Sequence, residues 1–256
     1  MRINILIVLI FFKINPSYSQ IGDSAPLVQD QFPKKSGHLR MSSSRIDFGR
    51  MMSNEIKSDT IRLYNSGKAT INFSVTIKPP PFIRINIKGT FLKPGTQGLL
   101  ILTYEAFKKG DFGYVVDRIQ LNTDDSIIPQ KFITVTATID EYFSQSVWND
   151  TANIKVRIPE QSFNFGNLKQ GEKVSHDFKI YNSGRRPVTI RKIKTDNAGL
   201  KAWAVKKDLI AGDSTIIHAE FYPEGKLDSK SGTFYVYMNN PTMPEVKFEL
   251  SGVVTK

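Results

Sequence analysis

The sequence predicts an all-β protein built from two tandem β-sandwich domains, and three observations lead there. Val, Ile, Thr, Tyr and Phe recur in short runs that alternate apolar with polar residues, and no long stretch places apolar residues at helical spacing. Gly, Pro, Asn and Asp separate these runs at short intervals, as turn residues do. A whole stretch also recurs: Leu63-Tyr64-Asn65-Ser66-Gly67 returns as Ile180-Tyr181-Asn182-Ser183-Gly184, a displacement of 117 positions (180 − 63). At 256 residues, the chain accommodates two domains of about 100 residues and their connections.

Composition narrows the function classes. With 40% hydrophobic and 11% aromatic residues the chain fills real cores and is not compositionally disordered. It has no cysteine, which excludes disulfides, thiol catalysis, thiolate metal sites and a lipid on an N-terminal cysteine. The formal net charge is +11, but the lysines are scattered, which argues for ordinary solubility and against a nucleic-acid footprint.

Taken in order, residues 1–19 read as a signal peptide. Arg2 supplies the positive start, the run from Ile5 to Phe12 is the apolar core, and Ser17-Tyr18-Ser19 puts small residues before the cut. The apolar run is too short to span a bilayer, so no transmembrane segment is expected after cleavage. Residues 20–36, with Gly22, Pro26 and Pro33, read as an extended linker.

The first domain spans residues 37–142. Leu39 and Met41 open it, and Ile46-Asp47-Phe48-Gly49 follows, with Gly49 expected to end that strand. Ile61 and Leu63 alternate with polar neighbours up to Asn65-Ser66-Gly67, read as a hairpin turn in which Gly67 accepts positive φ. Ile71 and Phe73 continue, Pro79-Pro80-Pro81 stiffens a loop, and Ile83, Ile85 and Ile87 make the next strand. Pro94-Gly95 is a turn before Leu100, Leu102 and Tyr104. Val115-Val116-Asp117 breaks the alternation leading to Ile119 and Leu121, which suggests a bulge, and Asp124-Asp125 reads as a turn. Ile133, Val135, Ala137 and Ile139 close the domain, completing the strand count of an immunoglobulin-like sandwich.

Residues 143–153 join the domains, and Tyr142, Phe143 and Trp148 there read as packing at the junction. The second domain, residues 154–256, repeats the script. Phe163-Asn164-Phe165-Gly166 matches Ile46 to Gly49, Ala211-Gly212 matches Pro94-Gly95, and Met238-Asn239 matches Leu121-Asn122, all at the same offset. Only the last strand, Val246, Phe248 and Leu250, slips by two.

The run from Phe165-Gly166-Asn167 through Gly171 and on to Tyr181-Asn182-Ser183-Gly184, with Ala211-Gly212-Asp213-Ser214 and the stretch from Val246 to Gly252, resembles the bacterial secreted family called domain of unknown function 1573. The resemblance covers nearly all of residues 158–256 and is weaker in the first repeat. It implies an immunoglobulin-like fold related to PapD-like and ASH-type domains, a secreted module common in Bacteroidetes, and no catalytic residue. Many members share a Cys-Gly-Cys segment where this chain has Lys194 to Gly199, so no metal or redox role is carried over.

No nucleophile elbow, phosphate loop or zinc spacing is present, and the three histidines, His38, His176 and His218, do not recur between repeats. They read as edge or solvent-facing residues. Asn65, Gly67, Asn182 and Gly184 are assigned as structural turn residues. The candidate binding residues are Arg185 and Arg186, which suit a carboxylate or sulfate, and the aromatics Trp203 and Tyr222; exposed tips and sheet packing are the competing readings. No catalytic, cofactor or metal site is assigned. The function expected is a non-enzymatic binding or structural module of the cell envelope, secreted or periplasmic, whose partner is another envelope protein or a glycan and not nucleic acid. The alternatives are a PapD-like periplasmic chaperone and a carbohydrate-binding accessory protein. The sequence leaves the oligomeric state open.

Overall fold

The computed structural model describes residues 31–74, 79–89, 91–223 and 228–256. The expected signal peptide, residues 1–19, lies outside the described residues.

The first sandwich contains β1 (Lys34–Ser36), β2 (Leu39–Met41), β3 (Arg45–Met52), β4 (Ile56–Asn65), β5 (Ile71–Ser74), β6 (Ile83–Lys88), β7 (Phe91–Leu92), β8 (Gln97–Glu105), helix α1 (Ala106–Lys109), β9 (Gly113–Thr123) and β10 (Gln130–Asp140). One sheet runs β1-β2-β4-β8-β6 and the other β3-β10-β9-β5-β7. Period-two alternation aims Ile61 and Leu63 of β4, and Leu100, Leu102 and Tyr104 of β8, at Ile119 of β9 and Ile133, Val135 and Ile139 of β10. Each such buried aliphatic side chain contributes about 1.5–3 kcal/mol.

The second sandwich contains β11 (Val156–Arg157), β12 (Ser162–Lys169), β13 (Val174–Asn182), β14 (Val188–Thr195), β15 (Leu200–Ala204), β16 (Asp208–Leu209), β17 (Ser214–Phe221), β18 (Ser229–Met238) and β19 (Glu245–Thr255). Its sheets run β11-β13-β17-β15 and β12-β19-β18-β14-β16. Phe178, Phe234 and Phe248 pack ring to ring at its centre, 4.9–5.6 Å apart. The chain is thus all-β, with two tandem immunoglobulin-like sandwiches.

The Asn-Ser-Gly turn differs from the hairpin expected. β4 pairs with β2 and β8, whereas β5 pairs with β7 and β9, so the turn carries the chain from one sheet to the other. β13 and β14 are divided in the same way. Neither Gly67 nor Gly184 has positive φ. Glycine is needed there for space: a Cβ on Gly184 would lie 2.4 Å from the Asn153 carbonyl oxygen, and one on Gly67 2.9 Å from His38. The asparagines are buried anchors. Asn65 Nδ2 donates to Ala69 O and Leu92 O, both at 2.8 Å, and Asn65 Oδ1 accepts from Gly67 N–H. Asn182 Nδ2 donates to Arg186 O and Leu209 O at 2.8 and 2.9 Å, and Asn182 Oδ1 accepts from Gly184 N–H. These three partners are displaced by the same interval as the asparagines; Asn182 Nδ2 adds a longer contact to Ile210 O at 3.1 Å.

Four further expectations are revised. Gly49 does not end its strand; with φ of 62° it sits at a register shift within β3 against the parallel β10, and Gly166 does the same in β12. β9 has no bulge against β10: alternation persists and Asp117 occupies an inward position, where its carboxylate accepts from Tyr104 Oη at 3.1 Å and Lys109 Nζ at 2.6 Å. The slip of two begins at β18, one strand early. Asn72 N–H bonds Asp124 as Thr189 N–H bonds Asn239, so Asp124 corresponds to Asn239, and the Leu121-Asn122 match to Met238-Asn239 fails. Finally, the end of the expected linker is built into the fold. Phe32 is fully buried, stacks 5.5 Å from Tyr64, and leads into β1.

Asp125 is more than a turn residue. Its side chain and that of Lys131 are both completely buried and form an ion pair at 2.5 Å. Lys131 also donates to Ser36 O and Ile128 O, and Asp125 accepts from the His38 and Ile127 backbone N–H groups. Burial alone would push the Asp125 carboxyl up; Lys131 and these N–H donors outweigh it and hold the carboxyl well below its ordinary value.

Candidate binding cleft at the junction of the sandwiches

The two sandwiches are joined by the connecting chain and by a clasp. After α1, the loop before β9 carries Asp111 and Phe112, and β9 opens with Gly113, against β14 and β18. Asp111 Oδ1 pairs with Lys192 Nζ at 2.8 Å and Lys194 Nζ at 3.0 Å. Desolvation raises the Asp111 pKa, but the two lysines more than offset this and its carboxyl lies below its usual value. Phe112 stacks on Tyr237 with ring centroids 6.2 Å apart. Gly113 has φ of 69°, and a Cβ there would fall 2.0 Å from Tyr237 Oη, so only glycine admits this approach. Burial pushes the Tyr237 hydroxyl well above the usual tyrosine value, and its hydrogen bond to Glu245 adds to the shift.

Beside the clasp lies an open cleft of about 660 Å³ between the connection and the second sandwich. One wall is Tyr142, Phe143 and Val147, the last from the single-turn helix α2 (Gln145–Trp148). Phe143 is steadied edge-on by Trp148 at 6.2 Å. The opposite wall is Pro187, Asn239 and two arginines. Arg186 Nε pairs with Asp150 Oδ2 at 2.5 Å, and Arg191 pairs with Glu141 Oε1 at 3.2 Å. Glu141 is the unusual member. Its side chain is only 13% exposed, and Oε2 is buried without a hydrogen-bond partner among the described residues. Burial pushes its carboxyl up, and Arg191 only partly opposes the shift. A buried, unsatisfied acceptor between guanidinium and aromatic groups suits a ligand that brings a hydrogen-bond donor.

The other expected residues fall elsewhere. Arg185 and Arg186 lie at the crossover tip, where both backbone N–H groups donate to Asn153 O; Arg186 enters the cleft through its side chain, and Arg185 is exposed. Trp203 is 44% exposed on the outer face of edge strand β15, beside His218 at 5.5 Å, and Tyr222 is 45% exposed beyond the end of β17. Tyr181 pairs with Ser214 at the Arg186 end of the sheet, and Val174 with Phe221 at the Tyr222 end. About seven residues of strand, roughly 23 Å, therefore separate the arginine tip from Tyr222, and they form no common site. Asn65, Gly67, Asn182 and Gly184 hold the crossovers as described above.

The histidines are committed to structure. His38 Nδ1 contacts Asp125 at 3.0 Å, and His218, on the outer face, contacts Asp177 at 2.5 Å. His176, expected as an edge or solvent-facing residue, lies where β13 is paired on one side only, and is partly covered: it stacks on Phe163 at 3.9 Å and bonds Glu160. Among the described residues no three His, Cys, Asp or Glu side chains come together to hold a metal. Also among these residues, no helix is long and apolar enough to cross a membrane.

Residues 156–254 match the family described as Protein of unknown function (DUF1573). That span coincides with the second sandwich. No curated protein matches the chain. Among solved structures, a protein of unknown function from Porphyromonas gingivalis W83 is similar, with a TM-score of 0.60 and 17% identity over 85% of this chain and 100% of that chain. At this identity the likeness concerns the fold. An ASH/PapD-like domain of human CEP192 (TM-score 0.35, 16% identity, 41% of this chain and 88% of that one) and the YadV chaperone (TM-score 0.31, 12% identity, 84% and 99%) superpose more loosely.

Proposed function

We propose that the protein is a non-enzymatic binding module of the bacterial cell envelope, exported through residues 1–19, in which both sandwiches are copies of the same DUF1573-type unit and the partner is engaged at the junction cleft. The observation that carries this reading is Glu141: a buried carboxylate oxygen with no hydrogen-bond partner among the described residues, set beside Arg191 and the Tyr142–Phe143 wall. The clasp around Asp111 supports it, because it fixes the end of the first sandwich beside the connection that walls the cleft, and a preorganised cleft costs less ordering on binding. A binding role also fits the polar groups, since the histidines and most buried acids are held in structural pairs. The shared anchors of Asn65 and Asn182 support descent of both sandwiches from one unit.

The test is co-purification from the native envelope with wild-type protein and with Glu141→Gln, Arg191→Ala and Tyr142→Ala. The reading expects a specific envelope component that is depleted by each cleft variant while thermal stability is retained. Recovery that is indifferent to all three would remove the cleft from the account. Turnover of a hydrolase substrate panel, abolished by a point substitution, would remove the non-enzymatic assignment.

A further inference from the structure

We propose that the outer face of β9 and β10 in the first sandwich is a second binding surface, one that takes an acidic polysaccharide. It does not depend on the junction cleft. On this face Tyr114, Val116 and Arg118 follow one another along β9, opposite Thr138, Thr136 and Thr134 of β10. Tyr114 is 57% exposed, and Val116 and Phe132 are exposed beside it. Two arginines give the face rigidity. Arg45 Nη2 donates to Tyr114 Oη at 3.0 Å and lies 3.4 Å from Thr136 Oγ1, and the Arg118 guanidinium sits over the Phe132 ring at 3.9 Å. Arg118 forms no ion pair among the described residues. Its stacked face is used and its N–H edge is left for an anion. Two carboxylates on this side of the sheet are already engaged: Asp47 accepts from the Gly49 N–H, with its pKa below the ordinary value, and Asp140 pairs with Arg50 at 2.7 Å.

The second sandwich lacks this arrangement. With the two-residue slip, β18 and β19 place Ser229, Ser231 and Thr233 where the first has Tyr114, Val116 and Arg118, and Lys247 in place of Phe132. A purely structural demand of the sandwich would recur in both copies, and this surface does not. Its size selects the ligand. The strip from Tyr114 to Arg118 is about 13 Å long and two strands, roughly 10 Å, wide. That is far short of the ~800 Å² per partner of a stable protein interface. It suits a chain of rings that presents an apolar face to Tyr114 and Val116, hydroxyls to the part-exposed Thr134 and Thr138, and a carboxylate to Arg118, with Thr136 buried beneath Arg45.

The test measures binding of the full protein to polygalacturonate, with neutral dextran as the uncharged probe. Arg118→Ala, Arg118→Gln and Tyr114→Ala are compared with Lys88→Ala, which removes an exposed charge from the opposite sheet. Expected is binding to polygalacturonate and not to dextran, weakened about tenfold or more by the first three variants and left within about twofold by Lys88→Ala, tenfold being about 1.4 kcal/mol. No binding to polygalacturonate would overturn the proposal. So would an equal loss in Lys88→Ala, which would mean diffuse attraction to a basic protein, or equally tight single-stranded DNA binding lost in the same variants, which would mean a general polyanion surface.

Discussion

Replacing Asn182 by alanine tests the physical reading of the repeated motif. The side chain donates to the Arg186 and Leu209 carbonyls and accepts from Gly184 N–H while 1% exposed. Alanine removes these bonds and a longer one to Ile210 O; Gly184 N–H keeps Lys155 O, while the Arg186, Leu209 and Ile210 carbonyls lose their amide donor in a largely buried site. A hydrogen bond contributes about 1 kcal/mol net, and an unsatisfied buried group costs about 1–3 kcal/mol. Allowing for water entry near the exposed Arg186 tip, the loss is about 3–4 kcal/mol, a large share of the 5–15 kcal/mol typical of a domain. Urea unfolding at 25 °C reads this as a lower midpoint at constant m-value. Asn65→Ala reports on the first sandwich by the same contacts. A loss under about 1 kcal/mol in both would refute the claim that these asparagines hold the crossovers.

Three other perturbations bear on the clasp and the cores. Gly113→Ala meets both a positive φ and Tyr237 Oη, and should destabilise by more than the ~1 kcal/mol expected of Gly49→Ala, where φ is positive and the space is open; urea midpoints rank the two. Asp111→Ala leaves Lys192 and Lys194 facing each other and should open the junction, seen as a larger radius of gyration in small-angle scattering. Because the folded Asp111 pKa is depressed, its contribution in the wild type is complete above the unfolded value near 3.9 and is lost as pH falls through the lower folded value. Lys131→Val alone strands a buried carboxylate and should cost about 3–5 kcal/mol, whereas adding Asp125→Asn, which copies Asn240 and Val246 of the second sandwich, should recover most of the loss in the same unfolding assay.

The all-β class and the paired sandwiches were legible because alternation and turn residues are local signals, and a long constant offset is hard to produce by accident. The Asn-Ser-Gly segment shows where local signals end. Its residues are those of a turn, but whether the flanking strands pair or part between sheets depends on β8 and β9, some 30 to 60 residues away. Gly67 and Gly184 fit the composition of a turn, which predicts positive φ, but the constraint on them is the closeness of a neighbour's atoms and not φ. Asp117 looked like a bulge because an inward carboxylate is rare, and its partners Tyr104 and Lys109 belong to the preceding strand and helix. At the cleft, Arg186 and the junction aromatics stood out as an arginine pair and a dense aromatic group. Glu141 and Arg191 did not, since burial and a missing hydrogen bond leave no mark in a sequence. The closest signal was position: Glu141 directly follows the last strand of the first domain.

The cleft is tested most directly by photo-crosslinking in the native envelope, with p-benzoylphenylalanine placed at position 142 or at position 203. The account predicts a discrete adduct from position 142 that disappears when Glu141→Gln and Arg191→Ala are added, and none of that mass from position 203. Adducts from position 203 alone, or adducts from position 142 that persist in the cleft variant, would contradict it.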